Sequence, residues 1–278
     1  MKLQLFIVLI FSFLFFGCSS KPLDPVSFDR VNKDISFTKD VKPILDNRCV
    51  SCHSCYNSPC QLNLGSFAGL DRGASKDLVY ATRMKAANPT RLFVDALNTK
   101  EWRDKSFFSM TDKMEDTNAS IMMQYLFEKD INPKLEGKYS PETDKLSCVK
   151  NKEELEDYLE VNPHKAMPYG FPGLSKNEYN TLMTWLDNGA IDDTPKDVIN
   201  DFEKAQIKKY EDFFNDKSIK NQVTAGYIYE HLFLAHISFD DNSKNFFQII
   251  RSSTPSGTEA KIIPTRLPYD EIKEKFYY

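Results

Sequence analysis

Several features that would settle a function at once are missing from this sequence. Basic residues hold no majority: 36 Lys and Arg stand against 40 Asp and Glu, a net charge of −4. There is therefore no electrostatic footprint for nucleic acid. Neither G-x-G-x-x-G nor a P-loop occurs, which removes the usual glycine cradles for dinucleotides and nucleoside triphosphates. Strand signals are sparse. The apolar run from Leu3 to Phe16, broken only by Gln4 and Ser12, is too short to span a bilayer comfortably. What remains is ample for folding: 278 residues, 41% of them hydrophobic, enough for one large domain or two small ones. Aromatics make up 13%, a level that fits an aromatic core and equally an apolar pocket or a membrane-facing surface.

The N-terminus reads as an export signal. One positive charge at Lys2 precedes the apolar run, which ends at Gly17-Cys18-Ser19-Ser20, the order of a secretory signal peptide. A Cys at that point looks like a lipobox, although Phe15 and Phe16 stand where smaller residues are usual. The expectation is a signal peptide over 1–17, lipidation at Cys18, a polar tether over 18–34 and a periplasmic, lipid-anchored protein. An ordinary signal peptide and an uncleaved anchor are the alternatives.

Five further cysteines follow, and two sit in Cys49-Val50-Ser51-Cys52-His53. C-x-x-C-H is the signature of c-type haem attachment. Thiols three residues apart on one turn bond the two vinyl groups of a single haem, and the adjacent imidazole becomes the proximal iron ligand. The rival is a structural zinc site using Cys49, Cys52, Cys55 and Cys60. Export favours haem, because clustered structural thiolates are commoner in the cytoplasm. Upstream, Val41, Ile44 and Leu45 keep helical spacing, and Pro43 fits a first turn.

The sixth iron position is expected downstream, in Ala166-Met167-Pro168-Tyr169-Gly170-Phe171-Pro172-Gly173-Leu174. This Pro- and Gly-rich loop leads to Ser175-Lys176-Asn177-Glu178, a capping box. Tyr179, Leu182, Met183 and Leu186 then form one apolar stripe, broadened by Trp185, and Asn188-Gly189 closes the helix. The layout is that of a cytochrome c distal loop, so Met167 is the expected axial ligand, with His164 the rival and a vacant position the other alternative.

The expected fold is mainly α: a cytochrome c-like haem domain over 35–190 with an insertion at about 61–155, then a helical segment over 191–278. Helices are predicted at about 38–48, 151–161, 175–188, 197–214 and 222–238. In the insertion, Asp71 to Lys76 reads as a turn and helix start. His231 and His236, five apart, share a helical face poorly and read as ordinary core or surface residues. Of Cys55, Cys60 and Cys148, one pair can form a disulfide after export, and the sequence leaves the pairing open.

Longer strings bring a resemblance into view. Cys49 to Leu62, Asp71 to Ser75, Pro89 to Phe93, Glu101 to Arg103, Ala166 to Leu174, Tyr227 to His236 and Thr265 to Asp270 resemble blocks of the bacterial fatty acid cis/trans isomerases, periplasmic c-type haem proteins. The resemblance implies one covalent haem c on Cys49, Cys52 and His53, with His53 acting through the iron. It also implies unsaturated fatty acids or phospholipid acyl chains as partners. An electron acceptor beside the double bond would weaken the π bond and permit rotation with no net redox change. Members of that family are considerably longer, so this chain reads as its N-terminal portion. The competing expectation is a haem c electron-transfer lipoprotein with a redox partner and no substrate of its own.

Overall fold

A computed structural model describes residues 22–54, 58–77, 90–132, 147–240, 243 and 245–278. Among these residues the structure is mainly helical, with only isolated bridges in place of a sheet. A wider, π-helical turn over Phe37–Val41 runs into α1 (Lys42–Arg48). There follow α2 (Phe67–Arg72), α3 (Thr99–Asp104), α4 (Ile121–Ile131), α5 (Lys152–Val161), α6 (Lys176–Asp187), α7 (Asp201–Phe214) and α8 (Ile219–His231).

Local chemistry sets these starts. Side-chain oxygens of Ser66, Asn98, Ser120, Asn151, Ser175, Asn200 and Ser218 each accept the backbone N–H three residues on, at the head of α2 to α8. Each satisfies a donor the helix itself cannot. Ser175 and Asn200 complete capping boxes with Glu178 and Glu203. α1 has no such cap; Ser36 supplies it one turn earlier, taking the Lys39 N–H.

The main core lies between the first turns and α4 and α6. Val41, Leu45, Leu182, Met183 and Leu186 are almost wholly buried. Phe37 meets Phe67 edge-on at 5.2 Å and Trp185 at 5.6 Å. The stripe expected on α6 thus faces inward. Each such buried aliphatic contributes about 1.5–3 kcal/mol. α4 is different: Ile121 to Phe127 are buried without a break. A helix surrounded by protein carries no amphipathic period, so no pattern in the sequence marks it.

The insertion is held by buried arginines. Arg72 packs against both Trp102 and Phe107, at 5.6 and 5.2 Å. Arg103 donates to the carbonyls of Asp71 and Arg72. Asp71-Arg72 ends α2, and the turn expected from the sequence follows it. Gly73 turns the chain at φ +82°, where a Cβ would lie 2.1 Å from the Phe108 carbonyl oxygen; any helix over 78–89 falls outside the described residues.

Arg91 pairs with Asp95, donates to the Thr265 carbonyl at 3.3 Å, and covers Phe233 at 4.2 Å. It therefore ties the insertion to the C-terminal segment. The same contact corrects the expected fifth helix. α8 begins earlier, at Ile219, and stops at His231, and leaving the helix there lets Phe233 turn under Arg91. His231 is exposed on the last turn of α8, and His236 is exposed beyond it. Buried Glu203 on α7 accepts from Ser243 Oγ, Asn245 N and Asn245 Nδ2. Arg251 stacks on Tyr229 at 4.4 Å and Phe276 at 5.1 Å. Among the described residues no helix is long and apolar enough to cross a membrane. Residues 1–21, including Cys18, fall outside the description, as does Cys55.

Candidate functional site

α1 does not end cleanly at Arg48. Cys49 N and Val50 N donate to the Leu45 carbonyl, and Cys52 N and His53 N donate to the Cys49 carbonyl. The winding continues through C-x-x-C-H, so both thiols and the imidazole reach one cavity. That cavity measures about 350 Å³, within the range of small-ligand and cofactor sites. Leu62, Leu64, Met110, Met122, Leu126 and Val149 give it apolar walls, and Met167, Pro168, Tyr169 and Phe171 close another side. Arg48 and Lys165 are the charged side chains among its lining residues.

His53 is buried, and its Nδ1 stands 3.3 Å from the Leu62 carbonyl oxygen. Ser58 Oγ donates to the same oxygen at 2.7 Å, and Leu64 N donates to the His53 carbonyl. With Nδ1 donating, Nε2 is the nitrogen that carries a free lone pair. Burial lowers the His53 pKa and favours this neutral ring. Burial, with Cys52 close by, pushes the Cys49 thiol up to about 11. Burial raises Tyr125 as well, so its phenol stays protonated. Tyr125 lines the cavity, and its carbonyl accepts the Met167 N–H at 3.2 Å. Nothing in the sequence marks Tyr125 or the Leu62 carbonyl, because each acts through a contact made only in the folded chain.

Met167 thus lines the same cavity as Cys49, Cys52 and His53. His164 is not among the lining residues; it occupies a short turn, Pro163–Lys165, with its ring 6.4 Å from Tyr169. Cys60 is bonded to Cys148, which answers the pairing question. It also removes the four-thiolate zinc arrangement, since a disulfide sulfur is not a thiolate ligand. Among the described residues no three His, Cys, Asp or Glu side chains gather as a metal cage. The donor set at the cavity is two free thiols, one neutral imidazole and the thioethers of Met110, Met122 and Met167, which suits the attachment and ligation of a haem.

Together these features define a mainly helical protein built around one apolar chamber with thiols and an imidazole in its wall. Residues 87–278, well over half of the chain, match the family model described as fatty acid cis/trans isomerase. The chain belongs to the fatty acid cis/trans isomerase family. Comparison with curated proteins and with solved structures gives no match. The matched span begins after Cys49 to His53 and includes Met122, Tyr125 and Met167, so the cavity is built from both sides of that boundary. Thr90 bridges it: Thr90 Oγ1 donates to Gln61 Oε1 at 2.5 Å, and the Thr90 carbonyl accepts from Arg72.

Proposed function

We propose that the chain interconverts cis and trans double bonds of unsaturated fatty acyl chains at one covalent haem c seated in this cavity. The family supplies the reaction class. The observation that supports the haem is the meeting of Cys49, Cys52, His53 and Met167 on one apolar chamber, although Met167 lies more than a hundred residues from the others. Cys49 and Cys52 would hold the haem covalently, and His53 Nε2 and Met167 would hold its iron. Bound there, the haem supplies a reversible electron acceptor beside the alkene.

The chain's own residues do the rest. The Leu62 carbonyl orients His53 through Nδ1. Leu62, Leu64, Met110, Met122 and Leu126 exclude water and accept an acyl chain, which binds by its apolar surface. Lipidation at Cys18 would keep this chamber at the periplasmic face of a membrane, beside its acyl chains, because two or more acyl groups give stable attachment.

The test is direct. Protein matured in a host that attaches haem c should hold haem through denaturation, and should form trans product from cis-unsaturated phospholipid or free fatty acid without added nicotinamide. His53→Ala should abolish that product, and Cys18→Ser should release the protein from membranes. Rapid reduction and reoxidation without trans product would favour an electron carrier, and stoichiometric zinc in place of haem would end the proposal.

A further inference from the structure

We infer that Arg72 is a positioning residue for His53: it holds the turn that presents the Leu62 carbonyl to the imidazole. The turn is strained. Cys60 and Gln61, neither of them glycine, stand at φ +56° and +52° in succession. Side chains with a Cβ resist the left-handed region, and such a pair persists only where its surroundings impose it.

Arg72 supplies that constraint. Its side chain is buried, with 2% of the residue exposed. It donates Nη2 to the Gln61 carbonyl and Nη1 to the Thr90 carbonyl at 2.8 Å. Trp102 and Phe107 cover the guanidinium. Its backbone is fixed too, because Arg103 donates to the Arg72 carbonyl at 2.9 Å. α2 approaches so closely that a Cβ at Gly69 would sit 2.3 Å from the Asn63 carbonyl oxygen. The Gln61 side chain is secured by Thr90 Oγ1 and by the Asp77 carbonyl. One residue beyond Gln61, the Leu62 carbonyl meets His53 Nδ1. A carbonyl in that place selects the ring tautomer and raises the basicity of the opposite nitrogen.

The first readout does not depend on haem: hydrogen exchange of the His53 Nδ1–H, followed by ¹⁵N NMR on the full chain. Arg72→Lys keeps the charge but not the planar two-point donation. It should leave the helical circular dichroism intact and speed that exchange about tenfold, the worth of one hydrogen bond. Trp102→Phe thins the packing over the guanidinium and leaves both of its donations in place; it should keep the exchange slow. Unchanged exchange in a folded Arg72→Lys variant would overturn the inference. So would an equal acceleration in Trp102→Phe, which would leave Arg72 a packing residue only. If Arg72→Lys does not fold, Trp102→Phe decides: a slow ring proton supports positioning through the donated bonds, a fast one refutes it.

The second readout rests on the haem proposal. In haem-loaded protein, Arg72→Lys should raise the reduction potential as the His53 ligand loses basicity, and Trp102→Phe should leave it unchanged. A wild-type chain without covalent haem would sink the haem proposal while leaving the exchange measurement to judge Arg72.

Discussion

Arg48 and Glu178 join two segments 130 residues apart by a two-point ion pair, Nε to Oε1 at 2.9 Å and Nη2 to Oε2 at 3.0 Å. Arg48 ends the helix that enters the cavity wall, and Glu178 opens the helix that follows the Met167 loop. The same carboxylate accepts Ser175 N, so one side chain caps α6 and anchors it to α1. Hydrogen bonding from Arg48 holds the Glu178 pKa down to about 2. A depressed carboxylate contributes stability above its unfolded pKa of about 4.5 and loses it as pH falls to about 2. Acid unfolding followed by circular dichroism should therefore begin at higher pH in Arg48→Ala, and Glu178→Gln should flatten the pH dependence between those limits. Identical acid profiles for all three proteins would mean that solvent screens the pair completely.

The Cys60–Cys148 bond crosses 88 residues and contributes both sulfur-bearing residues to the cavity lining. Closing so long a loop restricts the unfolded chain, which gives stabilisation of about 2–5 kcal/mol. Cys60→Ser with Cys148→Ser should lower the denaturant midpoint by that equivalent. Because Ser75 N donates to the Cys60 carbonyl, the neighbouring turn should remain paired at its backbone. A midpoint unchanged by reductant in the wild type would contradict the pairing.

Residues whose partners are close in sequence were legible. The capping box at Ser175 announces α6, and the Tyr179–Leu186 stripe gives its buried face. Cys49, Cys52 and His53 declare themselves by spacing. What stayed hidden depends on tertiary contact. α4 is buried on all sides, so it has no period to read. Asp71-Arg72-Gly73 looks like an opening turn, yet Gly73 is there because the Phe108 carbonyl passes where a Cβ would be. Phe233 interrupts a helical pattern to reach Arg91. The turn at Cys60-Gln61 carries no Gly or Asn to signal a left-handed backbone. Its shape comes from Arg72, eleven residues on.

Gly73 gives a second stability test. Its φ of +82° and the 2.1 Å approach to the Phe108 oxygen act together. Ala there must either strain the backbone or part the pairing in which Ala74 and Phe108 exchange both N–H···O bonds, at 3.0 and 2.9 Å. Gly73→Ala should cost about 2–3 kcal/mol, more than one lost hydrogen bond, read as a lower denaturant midpoint. A midpoint within 0.5 kcal/mol of wild type, roughly the scatter of neutral surface changes, would show that the loop yields freely.

Glu203 is fully buried and satisfies four donors: the N–H groups of Asn200 and Asn245, Asn245 Nδ2 and Ser243 Oγ. Removing the carboxylate leaves those donors desolvated and unpaired. Glu203→Ala should therefore cost about 3 kcal/mol or more, and should do so by loosening the 243–245 loop from α7. Hydrogen exchange at Asn245 N should accelerate with the loss. Protection at Asn245 equal to wild type would place its support elsewhere.

The cavity itself offers the test that separates binding from folding. Leu126 lies on α4, a helix packed on every side, and its side chain contributes to the chamber wall. A larger residue there cannot move outward, because close-packed neighbours resist displacement. It can only grow into the chamber of about 350 Å³. Leu126→Trp should consequently keep the helical signal and melt within a few degrees of wild type, while the chamber loses room for a haem or an acyl chain. Since a misplacement of about 1 Å near reacting groups can cost about a hundredfold, trans-fatty-acid formation should fall at least tenfold. Haem attachment, measured on denatured protein, tells which occupant was displaced. Loss of haem places the cofactor against Leu126, whereas full haem with lost activity places the acyl chain there. Full haem with full activity would mean that neither uses this wall, and the chamber would then not be the site of isomerisation.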